Sequence, residues 1–291
     1  MNRNRKNPTL ISSTFQIIVF FLFLLAGGLT HANDVSKGLY YYDNNQYKTA
    51  YHYFTRPSAI NNAQVQRNLG WMYSTGSGVK KDYVKAMEWF SKSAAQGNTS
   101  AQFDIGTLYE NGEGVKQDYQ KAAEWYQRAA LKEYSKAQNN LGLFYEKGLG
   151  VQQDYFKARE YYQKAVKQGN VGAMVNLGNL YGQGLGGEKS ELKAFGLFKK
   201  AAEKGDSAAQ YNLAEYYRAG LSTPRDLDKA IHWYEKSAAQ GTIKAMDKLA
   251  RIYRVGYKHI SANQALSDQW AEKAELARQK EQTDAQNKLS I

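Results

Sequence analysis

The fold of this chain is decided by the stretch from residue 99 to residue 134, which reads TSAQFDIGTLYENGEGVKQDYQKAAEWYQRAALKEY. Its pattern returns every 36 residues along most of the chain. The clearest trace is an aliphatic residue followed by a small one, and these pairs are Leu69-Gly70, Ile105-Gly106, Leu141-Gly142, Leu177-Gly178 and Leu213-Ala214. Self-similarity at a period of about 20–50 residues predicts stacked supersecondary units rather than one globular core.

The first half of each unit predicts a helix. Ala101, Ile105 and Tyr109 recur at positions i, i+4 and i+8, which places one apolar stripe along a helix. Gly106 stands beside that stripe, where a missing side chain permits a partner helix to approach closely. Gly112 follows and suits the left-handed residue that ends a helix.

The second half predicts another helix, which opens near Val115 and carries Asp118 in its first turn. Trp125-Tyr126 stands between alanines on this helix. Small residues facing aromatic ones are what two closely crossing helices need, so we expect both members of the aromatic pair in the core. In the fifth unit, Pro224 is expected in the first turn of the second helix.

Taken together, these positions give the pattern A-x-x-x-L-G-x-x-Y-x-x-G-x-G-V-x-x-D-x-x-K-A-x-x-W-Y-x-x-A-A-x-x-G. It resembles the Sel1-like repeat, a relative of the tetratricopeptide repeat, over residues 63–242 in full and 35–275 with degenerate ends. The resemblance implies an all-α fold, a right-handed α-solenoid of tandem 36-residue helix-turn-helix repeats. It also implies an adaptor or scaffold for a protein or peptide partner of unknown identity.

The N-terminus predicts export. Arg3, Arg5 and Lys6 precede an apolar run over residues 17–26, and small residues at Thr30 and Ala32 follow. This order is that of a cleavable secretory signal, and the run is shorter than the about 20 residues of a membrane span. We therefore predict a periplasmic or secreted protein without a stable membrane anchor after cleavage, and an uncleaved N-terminal anchor is the alternative.

The predicted boundaries follow from the repeat and the signal. They are a signal peptide at 1–32, a degenerate capping repeat at 33–62, five repeats at 63–98, 99–134, 135–170, 171–206 and 207–242, a degenerate capping repeat at 243–278, and a polar tail at 279–291.

Composition and motifs favour no catalytic chemistry. The chain has no cysteine, which excludes thiol chemistry and a disulfide framework. His52, His232 and His259 lie in separate units without a second ligand at metal-binding spacing. The net charge is +12, but the basic residues are spread through every unit rather than gathered in the stripe that nucleic acid requires. We predict no enzyme, no cofactor, no metal and no nucleic-acid partner.

One polar column points to a binding face. One residue precedes each of the five aliphatic–small pairs named above. We call these residues the asparagine row: Asn68, Asp104, Asn140, Asn176 and Asn212. An amide offers a donor and an acceptor, so such a row matches the backbone of an extended peptide. The alternative is that these amides bond to the backbone of the neighbouring repeat. The residues expected to set specificity beside the row are Arg67, Trp71, Phe103, Asn139, Val175, Tyr211 and Asp247.

The sequence thus predicts an exported, non-catalytic scaffold that binds a protein or peptide in the cell envelope. The alternative function is binding or export of an envelope glycan or exopolysaccharide. In that case Trp71 and Tyr211, expected to be exposed, would serve as sugar platforms.

Overall fold

The computed structural model describes residues 29–257 and 260–289. Within those ranges the chain forms fourteen helices, and the predicted all-α class, with a pair of helices in each 36-residue repeat, is confirmed. Residues 1–28, which hold most of the predicted signal peptide, and His259 lie outside the described ranges. Of the helices that the structure describes, none is both long and apolar enough to cross a bilayer.

The helices fall into two compact units, and the chain passes from one to the other between Ala129 and Ala130. The first unit holds α1 (Leu29–Asp43), α2 (Tyr47–Phe54), α3 (Ala63–Thr75), α4 (Tyr83–Ala95), α5 (Thr99–Asn111) and most of α6 (Tyr119–Leu131). The second holds α7 (Ser135–Lys147), α8 (Tyr155–Lys167), α9 (Val171–Gln183), α10 (Glu191–Glu203), α11 (Ser207–Ala219), α12 (Leu227–Ala239), α13 (Ile243–Val255) and α14 (Gln264–Leu289). We call the odd-numbered helices from α3 onward first helices and their successors second helices.

Glycine permits the close helix packing that the sequence predicts. A Cβ atom built on Gly142 of α7 would lie 2.7 Å from the ring of Tyr162 on α8, and Tyr162 is fully buried. Gly106 stands in the same relation to Tyr126, at 2.6 Å. The predicted helix end is also present, since Gly112 has a left-handed φ of +73°.

The second helices begin later than predicted. α6 starts at Tyr119, and Asp118 stands just before it, where the carboxylate accepts the backbone N–H of Lys121 at 3.0 Å. The expectation that the helix opens near Val115 is therefore wrong, because the side-chain cap fixes the start. Pro224, expected in a first turn, lies in the loop before α12 for the same reason.

The aromatic pair of each second helix divides between core and surface. Tyr126 is fully buried, as predicted, but Trp125 is only half-buried. The Arg128 guanidinium covers the Trp125 ring at 4.5 Å from its centroid, and Lys236 covers Trp233 in the same way at 4.7 Å. The expectation of core placement is thus right for the second member of the pair. It holds only in part for the first, which packs against the buried cluster but stays half-buried, because a helix turns about 100° between consecutive residues.

At the C-terminus, α14 continues as a helix to Leu289. The segment from residue 279, expected to be a polar tail, is therefore helical as far as the structure describes it. Ala274 is fully buried, and Arg278 pairs with Asp247 of α13 at 2.6 Å. These contacts attach the middle of α14 to α13.

Candidate functional site

In the first unit, the asparagine row is partly buried and partly paired. Asn68 is 2% exposed, and its carbonyl accepts a hydrogen bond from the Gln64 amide at 2.8 Å. Asp104 binds the Arg67 Nε at 2.8 Å, and the two side chains belong to consecutive first helices. Asn68 therefore lies in the core rather than on a binding face, and Asp104 forms a bridge between repeats.

In the second unit, the members of the asparagine row form hydrogen bonds with the side-chain amides of other asparagines. Asn176 donates its amide N–H to the carbonyl of Asn139 at 3.2 Å, and Asn139 donates to Asn140 at 3.5 Å. Asn212 donates to the carbonyl of Asn179 at 3.3 Å. All five amides are half-buried. The alternative considered from the sequence, bonding to the backbone of the neighbouring repeat, is therefore wrong for these residues. The partners of Asn176 and Asn212 are side chains of the preceding first helix, and the partner of Asn140 is the adjacent side chain of its own helix.

The aromatic residues beside the row are half-buried rather than exposed. Trp71 packs against the rings of Tyr42 and Tyr47, each with its centroid 5.4 Å away. Tyr211 packs against Tyr234 at 5.8 Å, and burial raises the pKa of its hydroxyl. Neither ring is the exposed aromatic that the sequence led us to expect.

The other flanking residues are also engaged in packing or ion pairs. Phe103 lies 5.3 Å from the ring of Tyr126. Val175 is 8% exposed and belongs to the core, and Asp247 pairs with Arg278. Among the flanking residues of the second unit, Asn139 is the one that the structure brings into direct contact with the row.

A hydroxyl–carboxylate pair joins the two helices of several repeats, and the sequence analysis missed it. The Tyr162 hydroxyl donates to Glu146 at 2.6 Å, and Tyr126 donates to Glu110 in the same way. Burial, followed by this hydrogen bond, raises the pKa of Tyr162 well above its usual value. The signal was present in the sequence, since a glutamate and a tyrosine recur in both repeats at a separation of 16 residues.

The repeat at 171–206 lacks this pair, and a cleft lies there. Gly182 and Phe198 stand where the glutamate and tyrosine stand in the two preceding repeats. The cleft has a volume of about 250 Å³, and Asn179 and Asn212 line it together with these two residues. Part of the asparagine row therefore opens onto a concave site within the second unit.

Glu191 is one of two glutamates that line the cleft, the other being Glu215. It accepts the Tyr216 hydroxyl at 2.6 Å and pairs with Lys189 at 2.9 Å. The bond from Tyr216, opposed by burial and assisted by Lys189, holds the pKa of Glu191 below its usual value. The carboxylate is thus ionised at neutral pH.

Arg159 is a buried charge that the sequence analysis also missed. It is 8% exposed, and its Nη2 donates to the backbone carbonyls of Leu180 at 3.2 Å and Glu188 at 3.0 Å. A Cβ atom on Gly187 would lie 2.7 Å from its Nη1, so Gly187 makes room for the guanidinium. In the sequence, Gly187 stands where the two preceding repeats carry Val115 and Val151, but nothing in that pattern points to Arg159 as its neighbour.

No metal site is present among the described residues, where no three histidine, cysteine, aspartate or glutamate side chains gather closely enough to hold an ion. His52 lies 2.9 Å from the guanidinium of Arg56, and His232 packs beside Trp233. The expectation that the chain carries no catalytic residue, cofactor or metal stays a prediction.

The chain is similar to a known repeat family and to solved structures. The family model described as Sel1 repeat matches residues 63–98, 99–134, 135–170, 171–206, 207–242 and 243–276. A Sel1 repeat protein from Oxalobacter formigenes is 35% identical in sequence, with a TM-score of 0.78, and the match covers 83% of this chain and 96% of that one. No curated protein matches the chain.

A second solved structure is also similar. It is a protective antigen present in uropathogenic Escherichia coli strains and displays an SLR fold. The two chains are 32% identical with a TM-score of 0.75, and the match covers 84% of this chain and 53% of that one. This chain thus spans about half the length of that relative.

Proposed function

The chain belongs to the Sel1 repeat family, and we propose that it is an exported, non-catalytic scaffold that holds an extended segment of a partner protein against its first helices. Sel1 repeats commonly serve as scaffolds for protein–protein interaction and are generally non-catalytic. The proposed binding face is the asparagine row of the second unit, and the proposed location is the periplasm or the exterior of the cell.

The binding face is supported by the spare hydrogen-bonding capacity of the asparagine row in the second unit. Asn176 and Asn212 each use one N–H in the bond to a neighbouring amide. A primary amide has two N–H donors and a carbonyl with two lone pairs, so both residues retain groups for a ligand. The amides are held by helices and by one another, and such preorganisation reduces the entropy lost on binding.

The glycan alternative has less support. Its proposed platforms were Trp71 and Tyr211, and both rings are half-buried against other aromatic rings. The half-buried rings of the second helices, such as Trp125 and Trp233, lie under cationic side chains. A sugar would have to displace these contacts before it could stack on either kind of ring.

Export is supported by the sequence of the first 32 residues. A basic start, an apolar run and small residues at Thr30 and Ala32 occur in the order of a cleavable signal. The proposal therefore places the mature protein in the periplasm or outside the cell.

The test replaces Asn140, Asn176 and Asn212 together by alanine. Two quantities are then measured on this variant: the capture of partner proteins from envelope extract, and the free energy of unfolding. Capture should be lost. The free energy of unfolding should fall by about 1–3 kcal/mol, since two half-buried hydrogen bonds are removed at about 0.5–1.5 kcal/mol each. Asn140 should add little, because its contact with Asn139 is 3.5 Å long.

The matched control replaces three exposed amides of second helices, Gln120, Gln127 and Gln163, by alanine. This variant should capture the same partners as the wild type. Unchanged capture by the asparagine variant, together with lowered stability, would show that the row is structural and would refute the proposed binding face.

A further inference from the structure

The cleft in the second unit results from a paired departure from the repeat. In the repeat at 135–170, the Glu146 carboxylate and the Tyr162 hydroxyl meet at 2.6 Å and fill the space between the two helices. In the repeat at 171–206, Gly182 and Phe198 replace both partners together. Loss of the carboxylate alone would leave a buried hydroxyl without a partner, which is costly. The double replacement opens space without that cost, and the Tyr216 hydroxyl, which would lie 2.9 Å from a Cβ atom on Gly182, takes up part of it.

The walls of the cleft carry one apolar surface and several hydrogen-bond acceptors. Phe198, which is 2% exposed, forms part of the apolar wall. Asn212 and Gln183 are amides, and Glu191 is a carboxylate. Asn212 donates to Asn179 through its amide nitrogen, and none of the described residues donates a hydrogen bond to its carbonyl.

The two glutamates that line the cleft differ in their capacity for a further ligand. Glu215 already accepts the Tyr234 hydroxyl and pairs with Arg218 at 2.6 Å and Lys248 at 2.9 Å. Its four lone-pair sites are therefore largely occupied. Glu191 accepts one hydroxyl and pairs with Lys189, whose side chain is 60% exposed. Such an exposed ion pair is weak, so Glu191 is the carboxylate able to take a new cationic partner.

We propose that this cleft receives an arginine side chain from the partner segment that lies along the asparagine row. The assignment rests on the proposed function and names the residue type that this part of the binding face selects.

The chemistry of the walls favours arginine over other side chains. A guanidinium carries five N–H donors and no acceptor, which matches the carbonyl of Asn212, the carbonyl of Gln183 and the carboxylate of Glu191. Its flat face also packs well against aromatic rings, and Phe198 and Tyr216 both line the cleft. An acidic side chain would meet the ionised Glu191 and be repelled.

The test uses a small probe that reports on the cleft without the rest of the partner. N-acetyl-arginine N-methylamide is titrated into the ¹⁵N-labelled full chain, and the side-chain amide signals of Asn179 and Asn212 are followed by NMR. The citrulline analogue is the matched neutral probe, since it keeps the shape and loses the charge. Saturable shifts with arginine, and affinity lower by about tenfold or more with citrulline, are expected for a charge-assisted contact.

Two variants locate the binding. Glu191→Gln should weaken the arginine probe to the level of citrulline. Gly182→Leu should abolish binding, because the new side chain enters the cleft and its Cβ atom would lie 2.9 Å from the Tyr216 hydroxyl that donates to Glu191. The matched control for bulk is Gly196→Leu, since a Cβ atom on Gly196 of α10 meets nothing within 4 Å, and this variant should bind like the wild type.

Equal affinity for arginine and citrulline, or undiminished binding by Gly182→Leu, would overturn the inference. The proposed function fails in a different way, through undiminished partner capture by the triple asparagine variant. If that capture is lost while the arginine probe never binds, the binding face stands and the arginine assignment does not.

Discussion

Exchanging the N-terminal cap residues of two first helices in the second unit should change stability in opposite directions. α9 begins after Asn170, whose side chain accepts the backbone N–H of Ala173 at 2.9 Å. α7 begins after Tyr134, whose side chain makes no such bond. Tyr134 has φ −75° and ψ 107°, close to the −65° and 116° of Asn170. Asparagine therefore fits at position 134 without a change of backbone.

The expected magnitude follows chiefly from the cap. An asparagine at the cap position stabilises a helix by about 1 kcal/mol relative to a residue that cannot cap. Tyr134→Asn should raise the free energy of unfolding by about that amount. Asn170→Tyr should lower it by at least as much, because it also removes the bond from the Asn170 amide to the backbone carbonyl of Ser135 at 3.4 Å. For a slope of about 2–3 kcal/mol per molar urea, each change moves the midpoint by about 0.3–0.5 M.

The assay is urea unfolding followed by circular dichroism, with hydrogen exchange to show that the change lies in α7 or α9. Local exchange matters because each repeat of such an array touches mainly its neighbours. The double variant should return close to the wild-type midpoint. One result would refute the reasoning: Asn170→Tyr is destabilised, but the urea midpoint of Tyr134→Asn stays unchanged or falls. Tyr134 would then stabilise the fold through other contacts by as much as a cap does.

Three further predictions concern the stability of the buried core, the loss of stability at low pH, and export. Leu141→Ala should cost about 2–5 kcal/mol because Leu141 is 1% exposed, whereas Leu131→Ala, at a site 76% exposed, should change urea stability by less than about 0.5 kcal/mol. Burial raises the pKa of Glu215, but hydrogen bonds from Arg218, Tyr234 and Lys248 outweigh it and hold the pKa below its usual value. The Glu215 carboxylate should therefore stabilise the fold fully above about pH 4.3, and this stabilisation should be lost as the pH falls through the lowered pKa. In Glu215→Gln, urea stability should depend less on pH in that acidic range. The control is Glu235→Gln at an exposed site, which should keep the pH dependence of the wild type. N-terminal sequencing of the exported protein should begin after Ala32, and a sequence that begins at Met1 would contradict the signal.

The sequence by itself determined the helix pairs and the glycine contacts. The stripe of Ala101, Ile105 and Tyr109 and the left-handed Gly112 depend on residues within one or two helical turns, so spacing alone reveals them. Gly142 could be assigned to a close approach because the same small residue recurs opposite an aromatic one in several repeats. Repetition turns a weak local signal into a strong one.

Only the tertiary structure decided what the polar residues do. Asn176 meets Asn139 across 37 positions of the chain, and the choice between a side-chain and a backbone partner depends on how the two helices are placed. The cleft beside Gly182 likewise exists only where two helices, fixed by the rest of their repeat, leave a volume that neither fills. Periodicity defines which face of a helix is buried, but hydrogen bonds and cavities are set by the relative positions of helices. Those positions arise from the packing of the second unit as a whole.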